Sequence, residues 1–257
     1  MKLRELFQEL ELTRKEIGSS PIFLCGGTPR DKYMNKLDNI SDLDMTTGDK
    51  TVEYLSEMFY DKLHKKYNIT KKNMSDGHSS IFIGKVKVDF SSNFNVPNID
   101  QILNKIGIVN PTNMQREMYS RDFTCNALLM TLDLKTITDP TKHGFKDIKD
   151  KKIKTCLSPE ITLTTNRNRV VRAIYMACKL GFDIDDNIIN YVTNNPTTIN
   201  LSTKKSISDK LSSAFVIDGD KASYLLTKMN LWNHIPIVEP AYQYYQKYLK
   251  GKSNVKK

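Results

Sequence analysis

Long apolar runs are missing from this 257-residue chain, and no stretch approaches the length that a membrane-spanning helix needs. The N-terminal MKLRELFQELELTRK has none of the apolar core of a secretory leader. It is charged and amphipathic, with Leu3, Leu6, Phe7 and Leu10 on one helical face. These two absences point to a cytoplasmic protein without a membrane partner. Cysteine is scarce: the four residues, at 25, 125, 156 and 178, form no C-x-x-C and have no paired histidine spacing. That excludes a zinc ribbon or a disulfide framework and predicts buried thiols in a reducing compartment. Negative charge is short as well, 29 Asp and Glu against 39 Lys and Arg, for a formal net charge of +10. Such an excess favours a polyanionic partner through counterion release, although an AT-rich genome with a habit of lysine, asparagine and isoleucine leaves the same mark. The length allows one large domain or two small ones.

What is present is concentrated in residues 21–48, PIFLCGGTPRDKYMNKLDNISDLDMTTG. The apolar run Ile22–Cys25 predicts a short buried strand. Gly26 and Gly27 follow, and such a pair lets backbone approach a bulky anion and offer it N–H groups. Asp42 and Asp44 then flank Leu43. On a strand, residues i and i+2 share a face, so the two carboxylates stand side by side. Acids that close repel one another unless a cation sits between them, and hard oxygen ligands suit Mg²⁺. A glycine pair alone is a tight turn, and D-x-D alone is an exposed turn or cap. In this order and at this spacing they are what nucleotidyl transfer requires.

Around this stretch, residues 1–17 predict a helix closed by Gly18, 32–39 a basic connector and Ile40–Met45 the acid-bearing strand. Residues 50–60 carry a helical pattern, and 64–73 are polar, a loop or a short strand. Residues 80–90, SIFIGKVKVDF, predict a hairpin about Gly84-Lys85. Its second arm sets Val86, Val88 and Phe90 against Lys87 and Asp89, so that Asp89 projects alone from one face, either as a third carboxylate or as a solvated edge acid. Residues 95–113 have no periodicity and are expected to be a loop. In Arg121-Asp122, the cation suits triphosphate oxygens and the carboxylate suits ribose hydroxyls. Residues 137–156, with a Pro turn and a Gly turn, suggest a junction. The clearest helix is 166–180, NRNRVVRAIYMACKL, capped by Gly181, with Arg169 and Arg172 as neighbours three apart. Helical patterns follow at 185–195, 206–216 and 221–230, and 247–257 reads as a frayed basic tail.

Four of these stretches carry a resemblance. Gly26-Gly27-x-x-Arg30-Asp31 followed by Asp42-x-Asp44-x-x-Thr47 resembles the opening motif of the class II tRNA nucleotidyltransferase (CCA-adding enzyme) and bacterial poly(A) polymerase family. Arg121-Asp122-Phe123-Thr124-x-Asn126-Ala127-Leu128 resembles its RRDFTxNAL motif, with Ser120 in place of the first arginine and Glu117 where an aspartate is common. Asp139-Pro140, Gly144 and Asp147-Ile148 resemble its connector from head to neck. The helix around Arg169 resembles its E-D-x-x-R base-reading helix, with Thr165 and Asn166 in place of the acids. The likeness runs from about Pro21 to Pro240.

The resemblance implies an α+β fold: a polymerase β-like nucleotidyltransferase head with a small mixed sheet over residues 1–150, an all-α neck over 151–240, and a basic tail over 241–257. Larger relatives carry further helical body and tail domains that are nearly absent here, and no H-D pair marks an appended phosphohydrolase. It also implies Mg²⁺-dependent addition of nucleotides from CTP and ATP to the 3′ end of tRNA by two-metal catalysis. Tailing of other RNA with poly(A) or oligonucleotides, and an idle RNA-binding relative, are the alternatives. In the implied site Asp42 and Asp44 hold metal with Asp89 beside them, while Gly26, Gly27, Arg30 and Asp31 cradle triphosphate. Arg121, Asp122 and Asn126 fix phosphate and ribose; Asn166, Arg169 and Arg172 face the base.

Overall fold

The computed structural model describes residues 2–37, 40–73, 78–92, 96–201 and 204–254. The last two residues of the predicted connector, Asn95 of the predicted loop and residues 255–257 of the predicted tail lie outside the described residues. The chain divides into two compact units, Met1–Ile148 and Lys149–Lys257.

The first unit is built on β1 (Phe23–Cys25), β2 (Asp42–Thr46), β3 (Ile69–Asn73), β4 (Ser79–Ile83), β5 (Val86–Phe90), β6 (Leu129–Met130) and β7 (Ile137–Thr138). These form one sheet in the order β3-β4-β5-β2-β1-β6-β7, antiparallel throughout except where β2 runs parallel to β5. Its helices are α1 (Leu3–Glu16), α2 (Gly27–Tyr33), α3 (Thr51–Leu63), α4 (Ile99–Lys105) and α5 (Asn113–Ser120), with α6 (Gly144–Lys149) at its end.

Strand alternation sorts the sheet into two faces. Leu24, Leu43, Met45, Ile81, Val88 and Phe90 are buried on one, against Leu6, Phe7 and Leu10 of α1 and Val52, Leu55, Phe59 and Leu63 of α3. Full burial of each such side chain is worth about 1.5–3 kcal/mol, so this face settles the register. A slip of one residue would send the aspartates into the core. With the register held, Asp42, Asp44, Lys87 and Asp89 have only the opposite face left.

Two local outcomes differ from the sequence pattern, and a third decides between alternatives it left open. The glycine pair opens α2 directly instead of forming a loop. The 64–73 stretch ends in a strand, β3, that extends the sheet through β4. Within the stretch read as a loop, α4 forms around the buried Leu103; at seven residues it is too short to show a helical period.

The second unit contains α7 (Pro159–Thr165), α8 (Asn168–Leu180), α9 (Asp186–Asn194), α10 (Lys204–Lys228) and α11 (Tyr242–Asn254), together with a two-residue parallel pairing of β8 (Lys152–Ile153) and β9 (Asp183–Ile184). Ser158 caps α7 by accepting from Ile161 N, and α8 stops at Gly181 with φ +70°. The helical patterns at 206–216 and 221–230 run on as α10, interrupted at Asp218, whose φ of −154° and ψ of 86° are not helical. Through Asn254, the stretch predicted as a basic tail belongs to the helix α11. Its Tyr245 and Tyr248 rings lie 5.7 and 5.6 Å from that of Trp232, itself 1% exposed. That aromatic packing outweighs the lysine content that made the segment look unstructured.

Candidate active site

The parallel pairing of β2 with β5 places Asp42 opposite Lys87 and Asp44 opposite Asp89. Three carboxylates, Asp89 lying 45 residues beyond Asp44 and 47 beyond Asp42, thus share one patch of sheet. Asp89 does not stand alone there: Lys87, two residues before it, points to the same side. The Lys87 ammonium contacts Asp89 Oδ2 and lies 3.7 Å from Asp42 Oδ1, while Ser80 Oγ donates to Asp89 Oδ1 at 2.6 Å. Burial works to lower the Lys87 pKa, but the hydrogen bond and charge of Asp89, with Asp42 and Asp44 behind it, hold it above the ordinary lysine value.

Asp44 sits deepest. Burial raises its pKa, Arg121 opposes that, and the like charges of Asp42 and Asp89 push it further up, for a net rise. Its carboxylate fills the space over Gly26, where an added Cβ would collide with Asp44 Oδ2. Gly26 also has φ +72°, a left-handed conformation that only glycine adopts freely. The glycine pair and the acid-bearing strand therefore meet in direct contact.

Arg121 and Asp122 are adjacent in sequence but serve two separate networks. The Arg121 Nη2 donates to Glu117 Oε1 at 2.9 Å and reaches Cys25 Sγ at 2.9 Å, with Asp44 close enough to feel its charge. Glu117 is fully buried, so this is an internal ion pair. Burial works against the Arg121 charge, but Cys25, Glu117 and Asp44 outweigh it and keep the guanidinium firmly protonated. Asp122, turned the other way, accepts from Phe123 N at 2.8 Å and from Asn126 Nδ2 at 3.3 Å. Asn126 Oδ1 in turn accepts from Arg30 Nη1, and Arg30 Nε donates to Asp31 Oδ1 at 2.8 Å. Arg30 is 3% exposed. One continuous chain, Asp31–Arg30–Asn126–Asp122, thereby ties the start of α2 to the turn after α5, and both arginines have partners within the protein. Gly144 seals the same region: an added Cβ would lie 2.6 Å from the Thr124 carbonyl oxygen.

The remaining candidates belong to the second unit. Asn166 closes α7, is exposed, and accepts from Asn168 N at 3.1 Å. Arg169 in the first turn of α8 is buried and donates from Nη1 to the Thr162 carbonyl at 3.2 Å. Arg172, one turn further on, is half-buried.

Sequence reasoning missed Lys87, Ser80, Glu117 and Asp49. The first was legible in the alternation of residues 86–90 and Glu117 in its i, i+4 spacing from Arg121; Ser80 and Asp49 gain their partners when chain segments meet. Asp49 organises the turn after β2, accepting from Ser20 Oγ at 2.6 Å, Thr51 N at 2.9 Å and Thr47 Oγ1 at 3.0 Å. The threonine of the D-x-D-x-x-T motif thus serves the turn. Among the described residues, no helix is long and apolar enough to cross a membrane.

Comparison with known proteins gives consistent family matches. Residues 22–154 match the poly A polymerase head domain. The tRNA nucleotidyltransferase cca2 of Schizosaccharomyces pombe is 22% identical over 203 residues, covering 74% of this chain and 42% of that protein. The mitochondrial CCA tRNA nucleotidyltransferase of Saccharomyces cerevisiae is 27% identical over 180 residues, 65% of this chain and 32% of that one. The chain therefore spans less than half the length of these curated relatives. Among solved structures, the Bacillus stearothermophilus CCA-adding enzyme in complex with CTP superposes with a TM-score of 0.69 at 18% identity, covering 93% of this chain and 55% of the other, and so shares the fold. With a head-domain match over more than half its length and an acid-bearing strand set against a glycine pair, the chain belongs to the family of class II CCA-adding enzymes and poly(A) polymerases.

Proposed function

We propose that this protein is a template-independent RNA nucleotidyltransferase that adds nucleotides from CTP and ATP to the 3′ end of tRNA. The observation that carries the reading is the contact between Asp44 and Gly26 on the sheet face that also bears Asp42 and Asp89. It sets a carboxylate cluster against a stretch of backbone with no side chain in the way.

The donor types suit a divalent metal: Asp42 and Asp89 already hold a cation, the Lys87 ammonium, beside the partly desolvated Asp44. Asp42 and Asp44 would hold Mg²⁺, with Asp89 beside them. When bound, such ions supply activation of the attacking hydroxyl and neutralisation of the leaving pyrophosphate. The chain's own residues do the rest. Gly26 and Gly27 leave room for the triphosphate to approach the backbone. Arg30, held by Asp31 and Asn126, positions α2 under it. Arg121 works against the rise in the Asp44 pKa, and Asp122 fixes the turn through Asn126 and carries the preference for ribose. In the second unit Asn166, Arg169 and Arg172 are the residues that the family resemblance assigns to the base. Where the family has two acids, Asn166 offers both a donor and an acceptor.

That asparagine favours a second reading, untemplated tailing of other RNA, since the base-reading rule of the family rests on acids. One assay separates them: transcript tRNA lacking its CCA end and a generic RNA are each incubated with single NTPs and with CTP plus ATP. Addition of C, C and A to the tRNA alone supports the first reading. A long A-ladder on both RNAs replaces it with the second. Binding of RNA without incorporation of any nucleotide, unchanged by Asp42→Ala, refutes both and leaves an idle relative.

A further inference from the structure

We propose that Lys87 is a resident counter-cation of the carboxylate cluster, one that a divalent metal has to displace before it can occupy the site. The inference rests on the metal reading above and adds a residue to it. Lys87 lies across the β2–β5 pairing from Asp42 and on the same face as Asp89. Its ammonium contacts Asp89 Oδ2 and stands 3.7 Å from Asp42 Oδ1. With Ser80 on Oδ1, both oxygens of Asp89 are engaged. Among the described residues no three His, Cys, Asp or Glu side chains stand together as a ready metal cage. Asp42 and Asp89 face a lysine instead.

An ammonium and a divalent ion compete for the same oxygens, and they cannot share them at contact distance because like charges repel. The Lys87 side chain is 37% exposed, so it has a path to water when it leaves. Its presence offsets repulsion among Asp42, Asp44 and Asp89 in the metal-free protein, and it weakens the hold on a bare ion. Metal arriving already bound to a triphosphate brings extra contacts and displaces the lysine more readily. Lys87 is a positioning residue in this scheme, setting the affinity of the site without touching the reacting atoms.

The test is binding of Mn²⁺ alone to the full chain, without nucleotide, followed by the loss of the free-ion signal in electron paramagnetic resonance. Lys87→Met and Lys87→Gln, one atom shorter than lysine and without its charge, are expected to bind Mn²⁺ about tenfold more tightly than wild type, a change of about 1.4 kcal/mol. Lys87→Arg, which keeps the charge, is expected to bind like wild type, and thermal melts report whether each variant is folded. Equal affinity in wild type and a folded Met or Gln variant overturns the proposal and leaves the metal reading standing. If neither wild type nor the variants bind Mn²⁺ that Asp44→Asn abolishes, the metal reading itself falls and this inference falls with it.

Discussion

Replacing Asp44 by asparagine separates a metal-binding carboxylate from a structural one, because the two roles predict opposite changes in stability. The side chain is the same size, so packing over Gly26 is kept and only the charge is lost. In the folded protein the Asp44 pKa is raised, by burial first and by Asp42 and Asp89 as well, against the pull of Arg121. A carboxyl whose folded pKa lies above its unfolded value, about 3.9, costs stability once pH rises through the folded pKa. The asparagine removes that cost. Arg121 keeps Glu117 and Cys25 as partners, so the substitution leaves no orphaned cation. Relief of this kind at a strained functional position is commonly worth about 0.5–2 kcal/mol, and about 1 kcal/mol corresponds to roughly 2–4 °C in melting temperature for a protein of this size. The metal-free Asp44→Asn protein is therefore expected to melt higher than wild type at pH 7, with the gap closing as pH falls toward about 4. Nucleotide addition should fall by about a thousandfold or more, about 4 kcal/mol at 1.36 kcal/mol per decade. Differential scanning fluorimetry across pH and primer extension with labelled tRNA read both quantities. A variant that melts several degrees lower refutes the electrostatic reasoning. Turnover within tenfold of wild type refutes the assignment of Asp44 to the metal.

Two further substitutions test neighbouring parts of the site. Gly26→Ala adds a Cβ that meets Asp44 Oδ2 at a backbone angle of φ +72°, which costs an L-residue about 1–2 kcal/mol; it should lower the melting temperature and activity together, and a fully active, equally stable variant would show that the contact is dispensable. Asp49→Ala removes the acceptor of the turn after β2 and is expected to cost about 1 kcal/mol, as a lost cap does. Burial works to raise the Asp49 pKa, but hydrogen bonds from Ser20, Thr51 and Thr47 outweigh it and hold it below the ordinary carboxylate value. The stability it contributes is therefore present above the unfolded pKa of about 3.9 and is lost as pH falls through the lower folded value. Melting curves of the two proteins should differ at pH 7 and converge in strong acid; a constant gap would mean that the carboxylate charge contributes nothing.

Local pattern was enough for much of this protein. The amphipathic stripes of α1, α3 and α8, the Gly181 cap, the hairpin of β4 and β5, and the shared face of Asp42 and Asp44 all follow from spacing, because helix and strand periods act over a few residues. Local pattern failed where an element is held by distant partners. The helix α4 is anchored by one buried leucine, and α11 by the ring of Trp232. Spacing also did not show that Arg30 and Arg121, read from their motifs as phosphate contacts, have partners up to 96 residues away. Only the tertiary structure put Asp89 and Lys87 beside Asp44, through a parallel strand pairing that no turn specifies. Sheet register between remote strands is chosen by which faces the core can bury, and that choice is made by the folded whole.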